Sequence, residues 1–251
     1  MNFKNLHNQD KPLLIANVWD VQSAKIAEEL NFKAIGTSSS AIASMLGYQD
    51  GEEISFLELE YIVKRIISNT KIPFSVDLES GYNRNPDEVV NHIVNLSDMG
   101  VVGINIEDSF VNKTRSLQKA EDFSKIISEI KQQLKKLNNN IFINVRIDTF
   151  LLNIPNKIAE TKRRIELYEI AGADGIFVPC IEQVSEISEI VNCTQLPINV
   201  MCMPNLPDFD KLNEIGVKRI SMGNFIFDNM YNYFKIKNEE ILSQKSFQSI
   251  F

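Results

Sequence analysis

The stretch Met99-Gly100-Val101-Val102-Gly103-Ile104-Asn105-Ile106-Glu107 joins the end of a predicted helix to a predicted strand. Gly100 directly follows an amphipathic segment, a position where glycine is typical of a helix C-cap. The apolar run after it has the length of a buried strand. The same joint recurs in segments 171–176 and 215–220, each with a glycine just past a helix and a strand directly after it. The sequence therefore predicts a chain of repeated strand and helix units.

Eight short apolar runs along the chain predict strands. They are Leu13–Val18, Ala34–Ser38, Phe74–Leu78, Gly103–Glu107, Phe142–Ile147, Gly175–Pro179, Ile198–Cys202 and Arg219–Met222. The segments between them place apolar residues at i, i+3 and i+4 beside charged faces, a pattern that predicts helices. These are Val21–Leu30, Leu57–Ser68, Asp87–Met99, Glu121–Leu137, Ile158–Ala171, Val184–Val191 and Phe209–Ile215.

Strict alternation of strand and helix implies a parallel sheet. Eight such units in 251 residues favour one α/β domain, a closed (β/α)8 barrel of the TIM type over residues 1–251. Two connections, Ser39–Ser55 and Ser109–Ala120, are unusually long. We expect them to be loops that cover the active-site end of the barrel.

Charge and cysteine content narrow the class of protein. Asp and Glu number 33 against 26 Lys and Arg, a formal net charge of −7 with scattered basic residues, which argues against a nucleic-acid partner. No uncharged apolar run approaches the ~20 residues of a membrane span. Three cysteines without CxxC spacing support neither a disulfide framework nor a zinc site. We therefore expect a cytoplasmic protein with small-molecule partners, no nucleic acid and no membrane.

Acidic side chains stand at the predicted strand ends, which in a barrel face the active site. A period of two puts Asp77 and Glu79 on one side of their strand, Glu107 ends the next, and Arg146 and Asp148 share a side of the fifth. Converging carboxylates repel one another unless a cation, a shared proton or Arg146 compensates, and hard oxygen ligands suit Mg²⁺ or Mn²⁺. Alternatively, each acid caps a helix or pairs with a lysine, and Arg146 forms a structural ion pair with Asp148.

Histidine is absent from the predicted strand ends. His7 lies in the N-terminal tail and His92 lies within a predicted helix, which argues against histidine acid–base catalysis and serine triads. No phosphate-binding glycine motif occurs either.

The sequence resembles the isocitrate lyase and phosphoenolpyruvate mutase superfamily. The motifs that carry the resemblance are Val76-Asp77-Leu78-Glu79-Ser80-Gly81-Tyr82, Gly103-Ile104-Asn105-Ile106-Glu107-Asp108 and Asn144-Val145-Arg146-Ile147-Asp148-Thr149. The resemblance implies a Mg²⁺-dependent barrel enzyme that acts on 2-oxo or 2-hydroxy acids through a pyruvate enolate. Asp77, Glu79 and Glu107 would hold the metal, and Arg146 would stabilise the enolate.

The same resemblance implies further site residues. Ser38, Ser39 and Ser40, together with Asp77 and Arg146, would bind the substrate, and Asp50 would be a catalytic residue on the gating loop. The C-terminal helical segment, residues 225–251, would be used to form homo-oligomers.

Departures from the family motifs bear on the reaction. The lyases carry a Lys-Lys-Cys-Gly-His-type motif after the fourth strand, whereas this segment, Ser109–Leu117, has neither Cys nor His. Lys113-Thr114-Arg115-Ser116 partly resembles the Lys-Thr-Asn-Ser segment of the phosphonopyruvate branch. Met, Cys and Phe near the last strands lead us to expect a small or apolar substrate tail.

Three functions remain open from the sequence. The first is a carbon–carbon lyase acting on a small 2-oxo or 2-hydroxy acid. The alternatives are a phosphonopyruvate mutase or hydrolase acting on a carbon–phosphorus bond, and a catalytically weakened relative that binds a 2-oxo acid.

Overall fold

A computed structural model describes residues 3–251, and within that range eight parallel strands close into a barrel. In chain order the strands are β1 (Leu13–Val18), β2 (Ala34–Thr37), β3 (Phe74–Asp77), β4 (Gly103–Glu107), β5 (Ser109–Asn112), β6 (Thr114–Leu117), β7 (Phe142–Arg146), β8 (Gly175–Phe177), β9 (Ile198–Met201) and β10 (Arg219–Ser221). β5 and β6 form a separate antiparallel hairpin, and the other strands follow one another around the barrel until β10 pairs with β1.

The barrel confirms the predicted fold. Each predicted barrel strand begins at the residue where the observed strand begins, and the observed strands end at most two residues earlier. Six predictions overshoot because the residues after these strands, such as Leu78, Ile147 and Val178, continue the apolar run beyond the end of the regular strand.

Helices surround the barrel in the predicted places. They are α1 (Val21–Glu29), α2 (Ser39–Leu46), α3 (Phe56–Ile67), α4 (Pro86–Met99), α5 (Ala120–Lys136), α6 (Lys157–Ile170), α7 (Val184–Val191), α8 (Phe209–Ile215) and α9 (Phe225–Gln244). At the start of α4, the Asn85 side chain caps the helix by accepting a hydrogen bond from the Asp87 amide at 3.1 Å. Gly100 ends α4 with φ of 108°, a left-handed conformation that glycine adopts without a steric penalty.

Two segments predicted as loops contain secondary structure. Residues 39–46 form α2, because Ser38 caps it by accepting from the Ala41 amide and Ala41, Ile42 and Ala43 are buried. Within 109–120, the β5–β6 hairpin folds over the barrel mouth. Neither was visible in the sequence, since a serine-rich start hides the short helix and the hairpin strands are only partly buried.

The main apolar core lies between the outer face of the barrel and the helices, where alternate strand residues such as Ile104, Val145 and Val200 are fully buried. The interior of the barrel holds a second, smaller apolar cluster at its N-terminal end, with Leu13, Ile15 and Phe142, and is polar nearer the mouth. Asn144 Nδ2 donates to Asn105 Oδ1 at 2.9 Å, and Arg219 Nη2 donates to the same oxygen at 3.4 Å. Barrels of this type usually fill this space with branched apolar side chains, so the interior here continues the polar character of the mouth.

The N-terminal end of the barrel is closed by a short 3-10 helix, Phe3–His7. His7, expected in an open tail, is buried and stacks on Phe142 with ring centroids 4.4 Å apart. Its Nδ1 lies 3.2 Å from the Phe3 carbonyl. Burial, and secondly the charge of Arg219, lower the pKa of His7 from 6.5 to about 3.

The last helix, α9, buries only Phe227 and leaves large apolar side chains exposed, among them Tyr233, Phe234 and Leu242. Cys180, Cys193 and Cys202 are all free thiols. Among residues 3–251, no helix combines the length and the apolar character needed to cross a membrane.

We expect His7→Phe to weaken the acid sensitivity of the fold. Below pH 6.5 the unfolded chain protonates His7 while the folded protein does not, so the stability that neutral His7 contributes is complete above pH 6.5 and lost toward pH 3. Between pH 6.5 and 5 the loss is about 2 kcal/mol. The measurement is the free energy of unfolding in urea at both pH values. Parallel pH profiles for the two proteins would contradict this role of His7.

Candidate active site

A cavity of about 240 Å³ opens at the C-terminal ends of the barrel strands. Its lining includes every residue predicted to be catalytic or to bind the substrate, namely Ser38, Ser39, Ser40, Asp50, Asp77 and Arg146. The structure therefore brings together side chains that lie up to 108 positions apart in the sequence. Their role in catalysis stays a prediction.

A larger cavity, about 600 Å³, lies at the opposite end of the barrel, where Asp174 pairs with Lys4 at 3.4 Å and with Lys131 at 2.7 Å. Barrel enzymes of this class carry out their chemistry at the C-terminal face. We therefore assign the active site to the smaller cavity.

The serines lie at the start of α2, beside the end of β3. Ser39 Oγ donates to Asp77 Oδ2 at 3.0 Å and lies 3.2 Å from Asp50 Oδ1. The Asp77 amide donates to Thr37 Oγ1 at 2.6 Å, which ties the ends of β2 and β3 together. The first amides of a helix have no partner within it and carry a partial positive charge. The start of α2 therefore offers the cavity N–H groups suited to a substrate carboxylate.

Arg146 is held by a paired contact with Asp148. Its Nε donates to Asp148 Oδ1 at 2.6 Å and its Nη2 to Oδ2 at 3.3 Å, while Nη1 lies 2.9 Å from Glu107 Oε2. Burial disfavours the charge, but Asp148 and Glu107 more than offset it and hold the pKa of Arg146 well above its usual value. Both alternatives left open by the sequence are thus compatible, because Arg146 forms a structural ion pair and still lines the cavity.

Asp148 is itself held in place by a buried hydrogen-bond network. Its amide donates to Asp108 Oδ1 at 3.0 Å, and Asp108 Oδ2 accepts from Arg164 at 2.8 Å and from the Tyr168 hydroxyl at 3.0 Å. All of these groups are buried. Burial, opposed by the charge of Arg164, raises the pKa of Asp108 to about 6. The network connects α6 to the strand ends and orients Asp148, and through it Arg146.

Glu79 does not project from the strand as the period of two suggested. β3 ends at Asp77, and Glu79 has φ of 48°, so its backbone has left the extended conformation. Its carboxyl accepts from the Tyr82 hydroxyl at 2.9 Å and does not line the cavity. Burial first, and then the charges of Asp50 and Asp77, raise the pKa of Glu79 to about 8. Glu79 thus lies outside the cavity lining but close enough to Asp50 and Asp77 for their charges to affect its pKa.

Glu107 ends β4 and is buried between two arginines. Besides its contact with Arg146, it forms an ion pair with Arg115. Burial raises the pKa of Glu107 well above its ordinary value, against the opposing charges of Arg146 and Arg115. A positive charge beside Glu107 therefore stabilises its ionised form.

The donor set suits a hard divalent cation. Two carboxylate oxygens, Asp77 Oδ1 and Glu79 Oε2, are buried without a hydrogen-bond donor, and Glu107 Oε2 has only the ion-pair contact with Arg146 Nη1 at 2.9 Å. All three oxygens belong to the residues predicted to hold the metal. Within residues 3–251, no three His, Cys, Asp or Glu side chains form a ready cluster for a metal ion. Mg²⁺ usually keeps several waters and binds one or two carboxylates directly, so the arrangement fits such an ion without a closed cage.

Two arginines of the cavity were not predicted as site residues. Arg115 reaches in from β6, and Arg219 reaches up from β10, where its Nε and Nη1 have no hydrogen-bond acceptor. Burial lowers the pKa of Arg219 to about 10. The alternation of β10 indicates an inward side chain at this position, whereas Arg115 depends on a hairpin that the sequence does not signal. Apolar Phe177, Pro179 and Met201 do line one side, but these guanidinium groups argue against the expected apolar substrate tail.

The gating loop that carries Asp50 is attached to the barrel through Glu52, two residues further along the chain. The Glu52 carboxylate accepts from the Ser80 amide at 3.1 Å, the Ser80 hydroxyl at 2.8 Å and the Tyr82 amide at 2.7 Å, and pairs with Arg84 at 2.8 Å. These contacts attach the loop to the segment after β3. They fix the distance between Asp50 and Asp77.

The fold and the site together define a class of protein: a (β/α)8-barrel enzyme with buried carboxylates and an oriented arginine at its active-site end. A family model described as phosphoenolpyruvate phosphomutase matches residues 3–242. The chain belongs to this family, and the predicted membership of the lyase and mutase superfamily is confirmed.

Individual relatives support the same placement. The chain is 34% identical over 223 residues to an uncharacterised protein of Mycobacterium tuberculosis, with 89% of this chain and 82% of that protein covered. It is 29% identical over 227 residues to oxaloacetate decarboxylase 1 of Pseudomonas fluorescens, with 86% and 75% covered. A solved structure from Burkholderia cenocepacia, provisionally named a phosphonomutase, superposes with a TM-score of 0.87 at 32% identity, with 93% and 96% covered.

Replacing Glu52 by Ala is expected to loosen the gating loop. The Ser80 and Tyr82 amides lose their acceptor, so their hydrogen exchange should accelerate about tenfold or more, together with that of residues 47–55. Glu53→Ala is the matched control, because Glu53 accepts only from the Gln49 amide within the loop. Equal exchange at Ser80 and Tyr82 in both variants would show that Glu52 does not fasten the loop.

Proposed function

We propose that this protein is a divalent-metal-dependent lyase that cleaves a carbon–carbon bond of a small 2-oxo or 2-hydroxy carboxylic acid. The observation that carries the proposal is the placement of Arg146, oriented by Asp148, in the same cavity as Asp77 and next to Glu107. A guanidinium held in a largely dry site stabilises a developing oxyanion more than water does. Oxaloacetate is the first substrate to test, because a relative at 29% identity is an oxaloacetate decarboxylase.

Different residues of the chain would bind the substrate, stabilise the developing charge and close the cavity. The amides at the start of α2 and the hydroxyl groups of Ser38, Ser39 and Ser40 would bind the carboxylate and the oxo group. Arg146 would stabilise the negative charge that forms on the oxo oxygen when the carbon–carbon bond breaks. With oxaloacetate, carbon dioxide would leave, and the resulting enolate would take up a proton to give pyruvate. Asp50, at the rim, would close the cavity over these groups.

Asp77, Glu79 and Glu107 would hold the cation, Mg²⁺ or Mn²⁺. When bound, such an ion supplies Lewis-acid polarisation of the substrate oxygens. Glu79 would contribute a buried carboxylate oxygen from outside the cavity lining.

Carbon–phosphorus chemistry remains the second candidate, because the solved relative at 32% identity is provisionally named a phosphonomutase. The hairpin argues for the first candidate. Lys113, which aligned with the phosphonopyruvate-type segment, lies exposed at the hairpin turn outside the cavity lining, and Arg115 points into the cavity instead.

Purified protein with Mg²⁺ is expected to release pyruvate from oxaloacetate, and Asp77→Ala to lower the rate about 100-fold or more because the site loses a carboxylate that the cation requires. The measurement is pyruvate formation with Mg²⁺ and with a chelator, with substituted malates, methylisocitrate and phosphonopyruvate as further substrates. Asp210→Ala, an exposed acid on α8, is the control for charge loss.

The products separate the candidates. A reaction with Mg²⁺ alone must be subtracted, since divalent ions promote decarboxylation of oxaloacetate without protein. Release of phosphate would favour the carbon–phosphorus reaction over our proposal. Binding of a 2-oxo acid without any turnover would instead indicate a weakened relative.

We also propose that the protein forms a homo-oligomer through α9. Phe234 and Leu242 expose 65% and 77% of their surface, far more than isolated surface apolar residues need. An apolar groove of about 350 Å³ runs beside the same helix, lined by Ile26, Leu30 and Met230. A second copy of α9 would cover both surfaces.

Phe234→Glu is therefore expected to dissociate the oligomer into monomers, because it places a charge in the apolar contact. Light scattering coupled to gel filtration measures the mass. Asn232→Glu adds the same charge two residues away, about 200° around the helix, and should leave the mass unchanged. A wild-type monomer, or an oligomer that survives Phe234→Glu, would refute the role of α9.

A further inference from the structure

Arg115 occupies an unusual position at the mouth of the barrel. It comes from β6 of the hairpin, yet only 15% of its side chain is exposed because the guanidinium reaches into the active-site cavity. There it forms an ion pair with Glu107, lies 3.2 Å from Asp50 Oδ2 and 3.5 Å from Asp148 Oδ2, and donates to Ser109 Oγ at 3.1 Å. The Arg115 guanidinium thus contacts three acidic side chains from three different parts of the chain.

The contact with Glu107 conflicts with metal binding. Arg115 Nη1 donates to Glu107 Oε1, and Arg146 Nη1 lies 2.9 Å from Oε2, so both carboxylate oxygens already face a positive charge. A carboxylate so occupied has little remaining negative potential for a divalent ion. A guanidinium and a divalent cation on the same carboxylate also repel each other strongly in a low-dielectric site.

Arg115 can leave Glu107 without losing all its partners, because Asp50 and Asp148 remain within reach. Arg146 lacks this freedom, since its paired contact with Asp148 fixes its orientation. The hairpin also packs on the gating loop, because a Cβ at Gly51 would clash with the Val111 side chain. The rim that holds Arg115 is therefore continuous with the loop that carries Asp50.

We propose that Arg115 is the resident counter-cation of Glu107 and competes with the divalent cation for that carboxylate. This inference rests on the metal-dependent function proposed above. Without metal, Arg115 compensates a buried charge that would otherwise oppose folding. When metal binds, Arg115 leaves Glu107 and keeps its contacts with Asp50 at the rim and with the buried Asp148, so the contacts of the hairpin change when the site is loaded.

The test is Mn²⁺ binding in the absence of substrate, followed by electron paramagnetic resonance of the free ion. Arg115→Gln removes the competitor, so we expect the dissociation constant to fall about tenfold. Lys113→Gln is the matched control, since it removes one positive charge from the same hairpin at an exposed position. Arg115→Lys keeps the charge but loses the forked contacts, and its affinity should lie between those of the wild type and Arg115→Gln.

A second measurement uses thermal unfolding of the same proteins. In chelator, Arg115→Gln should melt below the wild type, because Glu107 loses a partner. With saturating Mn²⁺ the gap should narrow, because the variant gains more from the metal than the wild type does. If Arg115→Gln does not fold, Arg115→Lys provides the same comparison with a smaller shift.

The outcomes separate this inference from the proposed function. Tighter Mn²⁺ binding in Arg115→Gln but not in Lys113→Gln supports the competition. Equal tightening in both variants shows a general charge effect, and unchanged or weaker binding shows that Arg115 helps to assemble the site; either result overturns the inference and leaves the lyase proposal standing. A wild-type protein that binds no Mn²⁺ would overturn both.

Discussion

Burial of several carboxylates at the mouth of the barrel is the constraint on which the rest of the structure depends. Asp77, Glu107 and Asp148 are almost completely buried, and burial of an uncompensated carboxylate is costly. Arg146 and Arg115 compensate Glu107 and Asp148, while Ser39 hydrogen-bonds Asp77. Each of these partners needs a scaffold to hold it in place. The Asp108 network, the start of α2 and the hairpin supply that scaffold.

The polar character extends below the mouth into the barrel. Asn105, Asn144 and Arg219 occupy positions where barrels of this type usually place branched apolar residues. Arg219 has no carboxylate partner within ion-pair distance among residues 3–251 and keeps two unpartnered N–H groups. Its positive charge beneath Asp77 adds to the field of the cavity. The polar region therefore extends from the cavity into the barrel interior, and an apolar cluster that includes Leu13, Ile15 and Phe142 closes the other end with Phe3–His7.

The comparisons and the geometry describe the protein at different levels. Family membership agrees with the barrel fold, and the strand-end acids with Arg146 agree with the family motifs. The hairpin gives this chain its own character, because its inward side chain is Arg115 rather than a thiol, an imidazole or an amide. A positive charge at that position changes how the buried carboxylates are neutralised before any ligand enters.

The sequence by itself determined the barrel, its eight strands and most of its helices, because burial on one face leaves a periodic pattern that neighbouring residues reveal. It also placed Asp77, Glu107 and Arg146 at the C-terminal ends of their strands, the end of a parallel barrel where candidate site residues are expected. Only the tertiary structure decided that Glu79 turns behind the cavity wall, that His7 closes the barrel, and that Arg115 enters the cavity. These features arise from backbone turns and from contacts between residues distant in sequence. Such contacts form only as the chain folds, and they leave no local pattern in the sequence.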